Sequence, residues 1–153
     1  MEFTDWGYTA WKYQPTEITR RLERVEKTLQ YMRDRNVRWD ALAVMGTSGI
    51  WLAPLLTLHG HKVVLIRKPH EKAHGSVVEG PANCEISRLV FIDDLICTGN
   101  TIANAKHQLG VYQGEAPQDW FGKLKIVAVV LHDTRMGAAE DYRGLPVYGY
   151  IED

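Results

Sequence analysis

Between residues 16 and 35, apolar side chains return at alternating steps of four and three: Ile18, Leu22, Val25, Leu29 and Met32. This spacing lays an apolar stripe along one face of a helix. Arg20, Arg21, Glu23, Arg24, Glu26 and Lys27 fill the other positions and read as a solvated face with pairs three and four residues apart. Downstream the pattern changes to short runs with little polar alternation: Asp40 to Met45, His61 to Ile66, Leu89 to Ile92, Lys125 to Leu131 and Val147 to Ile151. Runs of this length, apolar on both faces, suit strands buried inside a parallel sheet. An apolar segment from Ile50 to Leu58 follows the first run, and a helix over 99–110 with Ile102, Ala105 and Leu109 inward follows the third. Residues 69–82, with two prolines, two glycines and no period, read as a long exposed loop, and 111–123 as a polar connection. Strand, helix, strand alternation predicts an α/β fold, an open and mostly parallel sheet flanked by helices, with ligands at the carboxyl ends of its strands.

Composition narrows the classes without choosing among them. The 153 residues fit one domain able to bury a real core, and 45% hydrophobic with 24% charged residues is ordinary for a globular protein. A net charge of −1 with no clustered basic face gives no sign of a nucleic-acid footprint, so any bound anion must be held locally. Cys84 and Cys97 fall in no metal spacing, and His59, His61, His70 and His74 lie at turns and in a loop rather than four apart on a helix. Met1 to Tyr13 carries acids and aromatics but no basic, then apolar, leader pattern, and no run is long enough to span a bilayer. A cytoplasmic protein without a membrane partner is the expectation. Phe3, Trp6, Tyr8, Trp11 and Tyr13 are open to three uses: core packing, a dimer contact, or a lid over a base.

The chemistry concentrates in Leu89 to Thr101. Asp93 and Asp94 end a buried strand, where two carboxylates are costly unless something polar, such as a sugar diol or a metal-bound ligand, sits above them. Thr98, Gly99, Asn100 and Thr101 follow, with hydroxyls and free backbone N–H groups where the next helix begins, which suits a phosphate dianion. Acceptors for hydroxyls beside donors for phosphate describe a ribose 5-phosphate. The same residues also read as a strand, a turn and a capped helix with two solvated acids. A second small-residue loop, Gly46, Thr47, Ser48 and Gly49, follows the first strand, and Arg67 and Lys68 end the next one, ahead of Lys72 and His74 in the long loop. A floppy surface loop and a cationic lid over a leaving anion both fit that last segment.

Leu89 to Thr101, an apolar run followed by Asp-Asp, three residues, Thr-Gly, one residue and Thr, resembles the 5-phosphoribosyl-1-pyrophosphate (PRPP) binding motif of the type I phosphoribosyltransferases. Gly46 to Gly49 resembles that family's pyrophosphate loop, without the lysine many orotate enzymes carry there. Arg67-Lys68 with Lys72, Ala73, His74 and Gly75 is similar to the flexible catalytic loop of the orotate phosphoribosyltransferases, the closest match in loop motifs, with one residue inserted. The resemblance covers about residues 40 to 151, taken as the core, while 1–39 is a divergent segment where the family builds a hood over the base.

The resemblance implies Mg²⁺-dependent transfer of phosphoribose from PRPP to a nucleobase, orotate-like or purine, by a homodimer. Asp93, Asp94, Thr98, Gly99, Asn100 and Thr101 would bind PRPP, and Gly46, Thr47, Ser48 and Gly49 the pyrophosphate. Arg67, Lys68, Lys72 and His74 would act on the leaving group, and the metal would be held through PRPP rather than by protein side chains. Near the base the family's Asp-Arg pattern is changed: Asp133 is kept, but Thr134 stands in the arginine's place and Arg135 comes one later. A regulator that senses PRPP without chemistry is the alternative the same motifs allow.

Overall fold

The computed structural model describes residues 13–69, 77–81, 85–96, 99–115, 123–136 and 141–152. Helix α1 spans Pro15–Asp34, opening on a proline whose missing N–H costs nothing in the first turn. Then come β1 (Ala41–Val44), two short helices α2 (Thr47–Ile50) and α3 (Ala53–Leu58), β2 (Val63–Ile66), β3 (Val78–Glu79) and β4 (Arg88–Asp93). Helix α4 (Asn100–Glu115), β5 (Lys125–Arg135) and β6 (Val147–Tyr150) complete the described elements.

The strands form one sheet in the order β3-β2-β1-β4-β5-β6, parallel throughout except for β3, which runs antiparallel to β2. This is the open, mostly parallel sheet that the alternation of elements predicts. Both faces are covered, which is why its central strands carry no polar side. On one face Ala41, Ala43, Leu89 and Phe91 pack under α4 through Ile102, Ala105 and Leu109. On the other Leu42, Val44, Val90 and Ile92 pack under Leu22, Val25, Leu29 and Met32 of α1 and Leu52 and Leu56 beside it. The stripe read from the spacing is thus the docking face of α1. Among the described residues no helix is long and apolar enough to cross a membrane.

Several expectations need correction. Arg21 does not belong to a solvated face: it is 2% exposed, and Arg24 is largely covered as well. Both project from the edge of the apolar stripe toward the end of β5, where Asp133 supplies the opposite charge. Glu26 of the same face reaches His61 Nε2 at 2.6 Å, tying α1 to the turn before β2. The supposed loop 69–82 contains β3, because Ile66 pairs with Val78 and Leu65 with Glu79, a long-range match that leaves no local period. Residues 111–115 continue α4 rather than starting a connection, since Gly110 lies in open space on its outer side and interrupts no packing. The segment Ile50 to Leu58 divides into α2 and α3, with Pro54 in the first turn of the second.

Strand β5 is longer than its apolar run and is irregular twice. Its pairing with β4 shifts between Leu89 and Val90, which steps over Val127 and moves Ala128 and Val130 to the α1 face. Its pairing with β6 jumps from Leu131 opposite Gly149 to Arg135 opposite Tyr150. His132, Asp133 and Thr134 therefore have no register partners on β6, and the side chains of His132 and Asp133 meet α1.

Because Leu29 is fully buried between α1 and the sheet, Leu29→Ala should lower stability by about 2–5 kcal/mol. Urea unfolding followed by circular dichroism measures this, and a loss below about 1 kcal/mol would mean that α1 does not depend on that face.

Candidate functional site

β1 and β4 lie side by side, but the chain leaves them toward opposite edges of the sheet, to β2 and to β5, so a crevice opens past their carboxyl ends. Two groups meet across it. Ser48, in the short helix α2 after β1, donates its hydroxyl to Asp93 Oδ1 at 2.7 Å, and the Asp94 N–H donates to the same oxygen at 2.9 Å. Asp93 is 4% exposed. Burial pushes its carboxyl up to about 7, the Ser48 hydroxyl acts against this by favouring the charged form, and the neighbouring Asp94 adds to the rise. Asp94 is partly exposed and accepts the Leu95 N–H at 2.8 Å.

A cleft of about 170 Å³ opens on this pair, lined by Asp93 and Asp94, by Gly99 and Thr101, and by the apolar Leu95, Ile96 and Ile102. Gly99 has φ +81°, and a Cβ there would run into the hydroxyl of Tyr142. Tyr142 comes from the connection before β6, where it pairs backbone to backbone with Leu145. Asn100 is the first residue of α4 and is exposed.

The expected loop of Gly46, Thr47, Ser48 and Gly49 is helical beyond its first residue, since Thr47, Ser48 and Gly49 open α2, and two close approaches shape this segment. Gly46 has φ +72°, and a Cβ on it would lie 3.0 Å from Lys68 Cε and 3.3 Å from Lys68 Nζ. The ammonium that this loop lacks in sequence therefore arrives from the end of β2. Gly49 packs on β1 so closely that a Cβ would stand 2.6 Å from Val44 Cβ. Arg67, next to Lys68, is occupied: its guanidinium meets Glu79 at 2.8 Å and its carbonyl accepts from Gln108 of α4 at 2.9 Å. It fastens β3 and α4 to the end of β2.

Behind the loop runs a buried polar chain. His132 is fully buried, with Nδ1 at 3.1 Å from Arg21 Nη1 and Nε2 at 2.9 Å from the Ser48 carbonyl oxygen. Arginine can only donate and a carbonyl can only accept, so these partners assign the proton to Nε2 and leave the imidazole neutral. Arg21 also pairs with Asp133 at 3.1 Å. Arg24 lies 3.7 Å from Asp133, donates to the His132 carbonyl at 3.1 Å, and stacks 3.9 Å above the Tyr150 ring. Thr134 is partly buried in the irregular end of β5, while Arg135 is exposed and paired with Glu152.

No protein-family model matches the chain, and no curated protein matches it in sequence. Solved structures do match. The orotate phosphoribosyltransferase of Francisella tularensis aligns over 93% of this chain and 69% of its own, with a TM-score of 0.60 and 15% identity. The adenine phosphoribosyltransferase of Thermoanaerobacter pseudethanolicus aligns over 99% of this chain and 88% of its own, with a TM-score of 0.55 and 17% identity. For the adenine phosphoribosyltransferase of Saccharomyces cerevisiae, complexed with adenine and an imino-altritol bisphosphate, the shares are 89% and 79%, the TM-score 0.52 and the identity 17%. The chain has the type I phosphoribosyltransferase fold.

Within this phosphoribosyltransferase fold, Asp93, Asp94, Gly99 and Thr101 front one cleft, Ser48 joins the second loop to it, and Lys68 stands over that loop. Arg67 and Arg135 are turned to carboxylate partners instead. Lys72, His74, Thr98 and Cys97 lie outside the described residues. Sequence reasoning missed Arg21, Arg24, His132 and Tyr142. A buried arginine on a charged helix face leaves only a faint trace, here Thr28, seven residues on from Arg21 and buried too.

The raised Asp93 value has a definite sign. The folded carboxyl binds its proton more tightly than the unfolded one, whose value is 3.8, so the stability linked to Asp93 is present at low pH and is lost as pH rises toward about 7. Asp93→Asn removes the ionisation while keeping an oxygen for Ser48. Its effect on stability should be more favourable at pH 8 than at pH 5 by about 2–3 kcal/mol, read from urea unfolding at both values. An equal effect at the two pH values would show that Asp93 ionises normally.

Proposed function

We propose that the protein transfers 5-phosphoribose from PRPP to a nucleobase nitrogen and releases pyrophosphate. The observation that carries this reading is the cleft that Asp93 and Asp94 line together with Gly99 and Thr101. Carboxylates there suit the ribose hydroxyls, and the turn into α4, including Thr98 and Asn100, suits the 5-phosphate. Pyrophosphate would lie along residues 46–49, with Lys68 over Gly46 as its fixed cation.

Mg²⁺ fits this reading through its preference for hard oxygen donors, which the phosphate and hydroxyl oxygens of PRPP would provide. When bound, it would neutralise pyrophosphate oxygens. Among the described residues no cluster of three His, Cys, Asp or Glu side chains is placed to hold a metal ion. The chain's own part is charge placement. As the bond to the anomeric carbon breaks, positive charge grows on the sugar and negative charge on the leaving group, and Lys68 with Lys72 from the 69–82 segment would meet the second. His74 lies in the same segment and belongs to the same role. We read residues 1–153 as one domain that works as a cytoplasmic homodimer.

A PRPP sensor without chemistry draws support from Arg67, whose guanidinium is bound to Glu79 rather than left to meet an anion. Incubation with PRPP, Mg²⁺ and single nucleobases, read by pyrophosphate release, separates the two. Release with one base supports the transferase, and PRPP binding without release for any base supports the sensor. Thr134 occupies the place of an arginine and Arg135 is paired with Glu152, so adenine should be turned over better than orotate. Efficient orotate turnover that survives Arg135→Ala would overturn that preference.

Lys72 gives the second check on mechanism. A cation that meets charge appearing only at bond breaking stabilises the transition state more than bound PRPP. Lys72→Ala should lower kcat and kcat/KM together and leave the PRPP Kd within about threefold, measured by steady-state kinetics and calorimetry. A Kd loss equal to the kcat/KM loss would make Lys72 a ground-state binding residue.

A further inference from the structure

The buried chain behind the 46–49 loop has more order than packing requires. His132 lies in the core between α1 and the sheet, yet both ring nitrogens have partners of opposite demand, a donor at Nδ1 and an acceptor at Nε2. Its Nε2 partner is the carbonyl of Ser48, and the hydroxyl of that same residue reaches Asp93 at 2.7 Å. A peptide group is planar, so a bond to the Ser48 carbonyl also sets the direction of the Gly49 N–H. We propose that His132 is a positioning residue: by holding the Ser48–Gly49 peptide, it fixes the backbone of the 46–49 loop and keeps the Ser48 hydroxyl on Asp93.

The supports of His132 lie on α1 and β5. Arg21 donates to Nδ1, Asp133 pairs with Arg21, and Arg24 holds the His132 carbonyl while resting on Tyr150. An arginine at Nδ1 favours the neutral ring with its proton on Nε2, the one form that can donate to Ser48. The charged groups around the other end are Asp94 beside Asp93 and Lys68 over Gly46. Helix α1, whose arginines read from sequence as solvated, thus reaches the crevice between β1 and β4 through His132 and Ser48. The consequence for pyrophosphate rests on the transferase reading, whereas the link from His132 to Asp93 does not.

The experiment starts with wild-type protein, without ligand. Nitrogen-15 NMR of His132 between about pH 6 and 8 should show a neutral ring protonated on Nε2, with slow exchange of that proton. A ring protonated on Nδ1, or a charged ring, overturns the proposal. Two variants then test the link onward. His132→Leu keeps a buried side chain but removes both hydrogen bonds, and His132→Gln keeps a donor and an acceptor. Carbon-13 NMR of the Asp93 carboxyl should show its titration midpoint raised in His132→Leu, where Ser48 is no longer held, and returned toward wild type in His132→Gln. Pyrophosphate affinity by calorimetry should fall at least about tenfold in His132→Leu and recover to within about threefold in His132→Gln.

An unchanged Asp93 titration in folded His132→Leu overturns the positioning role. Should that variant fail to fold, a His132→Gln protein with the wild-type Asp93 midpoint supports the role, and one with a midpoint raised despite a retained amide bond overturns it. If wild-type protein binds neither pyrophosphate nor PRPP, the transferase reading fails, while the Asp93 titration still decides the role of His132.

Discussion

The hydrogen bond from Ser48 to Asp93 joins the ends of β1 and β4, the two strands between which the sheet's connections diverge. Asp93 ends a strand whose preceding apolar residues are buried on both faces, so little water reaches its carboxyl. A buried carboxylate with no donor would be untenable, and here one oxygen takes both the Ser48 hydroxyl and the Asp94 N–H. The two apolar layers that hold α1 and α4 on the sheet are therefore what perturbs Asp93. Remove either layer and water would return the carboxyl toward its ordinary behaviour.

Positive charge reaches this end of the sheet from several elements. Lys68 comes from β2, while Arg21 and Arg24 come from α1 and stand behind the crevice on Asp133. Arg67 is spent on the fold, clamping Glu79 of the antiparallel edge strand. The second irregularity of β5 makes this division possible. A regular strand would have paired His132, Asp133 and Thr134 with β6, whereas across the jump from Leu131 to Arg135 His132 meets α1 and α2 and Asp133 meets α1. Gly149 belongs to the same arrangement, since a side chain there would strike the Thr134 carbonyl.

Much of this was legible in the chain as written. The stripe Ile18, Leu22, Val25, Leu29, Met32 foretells a docked helix, and the runs ending at Met45, Ile66, Ile92 and Leu131 foretell buried parallel strands. Asp93 and Asp94, and the loops rich in glycine, serine and threonine, stand out because acids and small residues at strand ends are unusual chemistry wherever they occur. The fate of the flanking charges was not legible. Arg21 and Arg20 are neighbours of the same type, yet one is buried and the other exposed.

The sequence by itself determined which faces are apolar, where strands and helices alternate, and which residue types gather at strand ends. Each follows from local spacing, because periods of two and 3.6 are properties of the backbone near each residue. The tertiary structure alone decided the polar pairings: Lys68 over Gly46, Arg21 on His132, Ser48 on Asp93, and Val78 beside Ile66. Those pairings join positions from 12 to 111 residues apart, and no local period records which distant donor packing will bring to a buried acceptor.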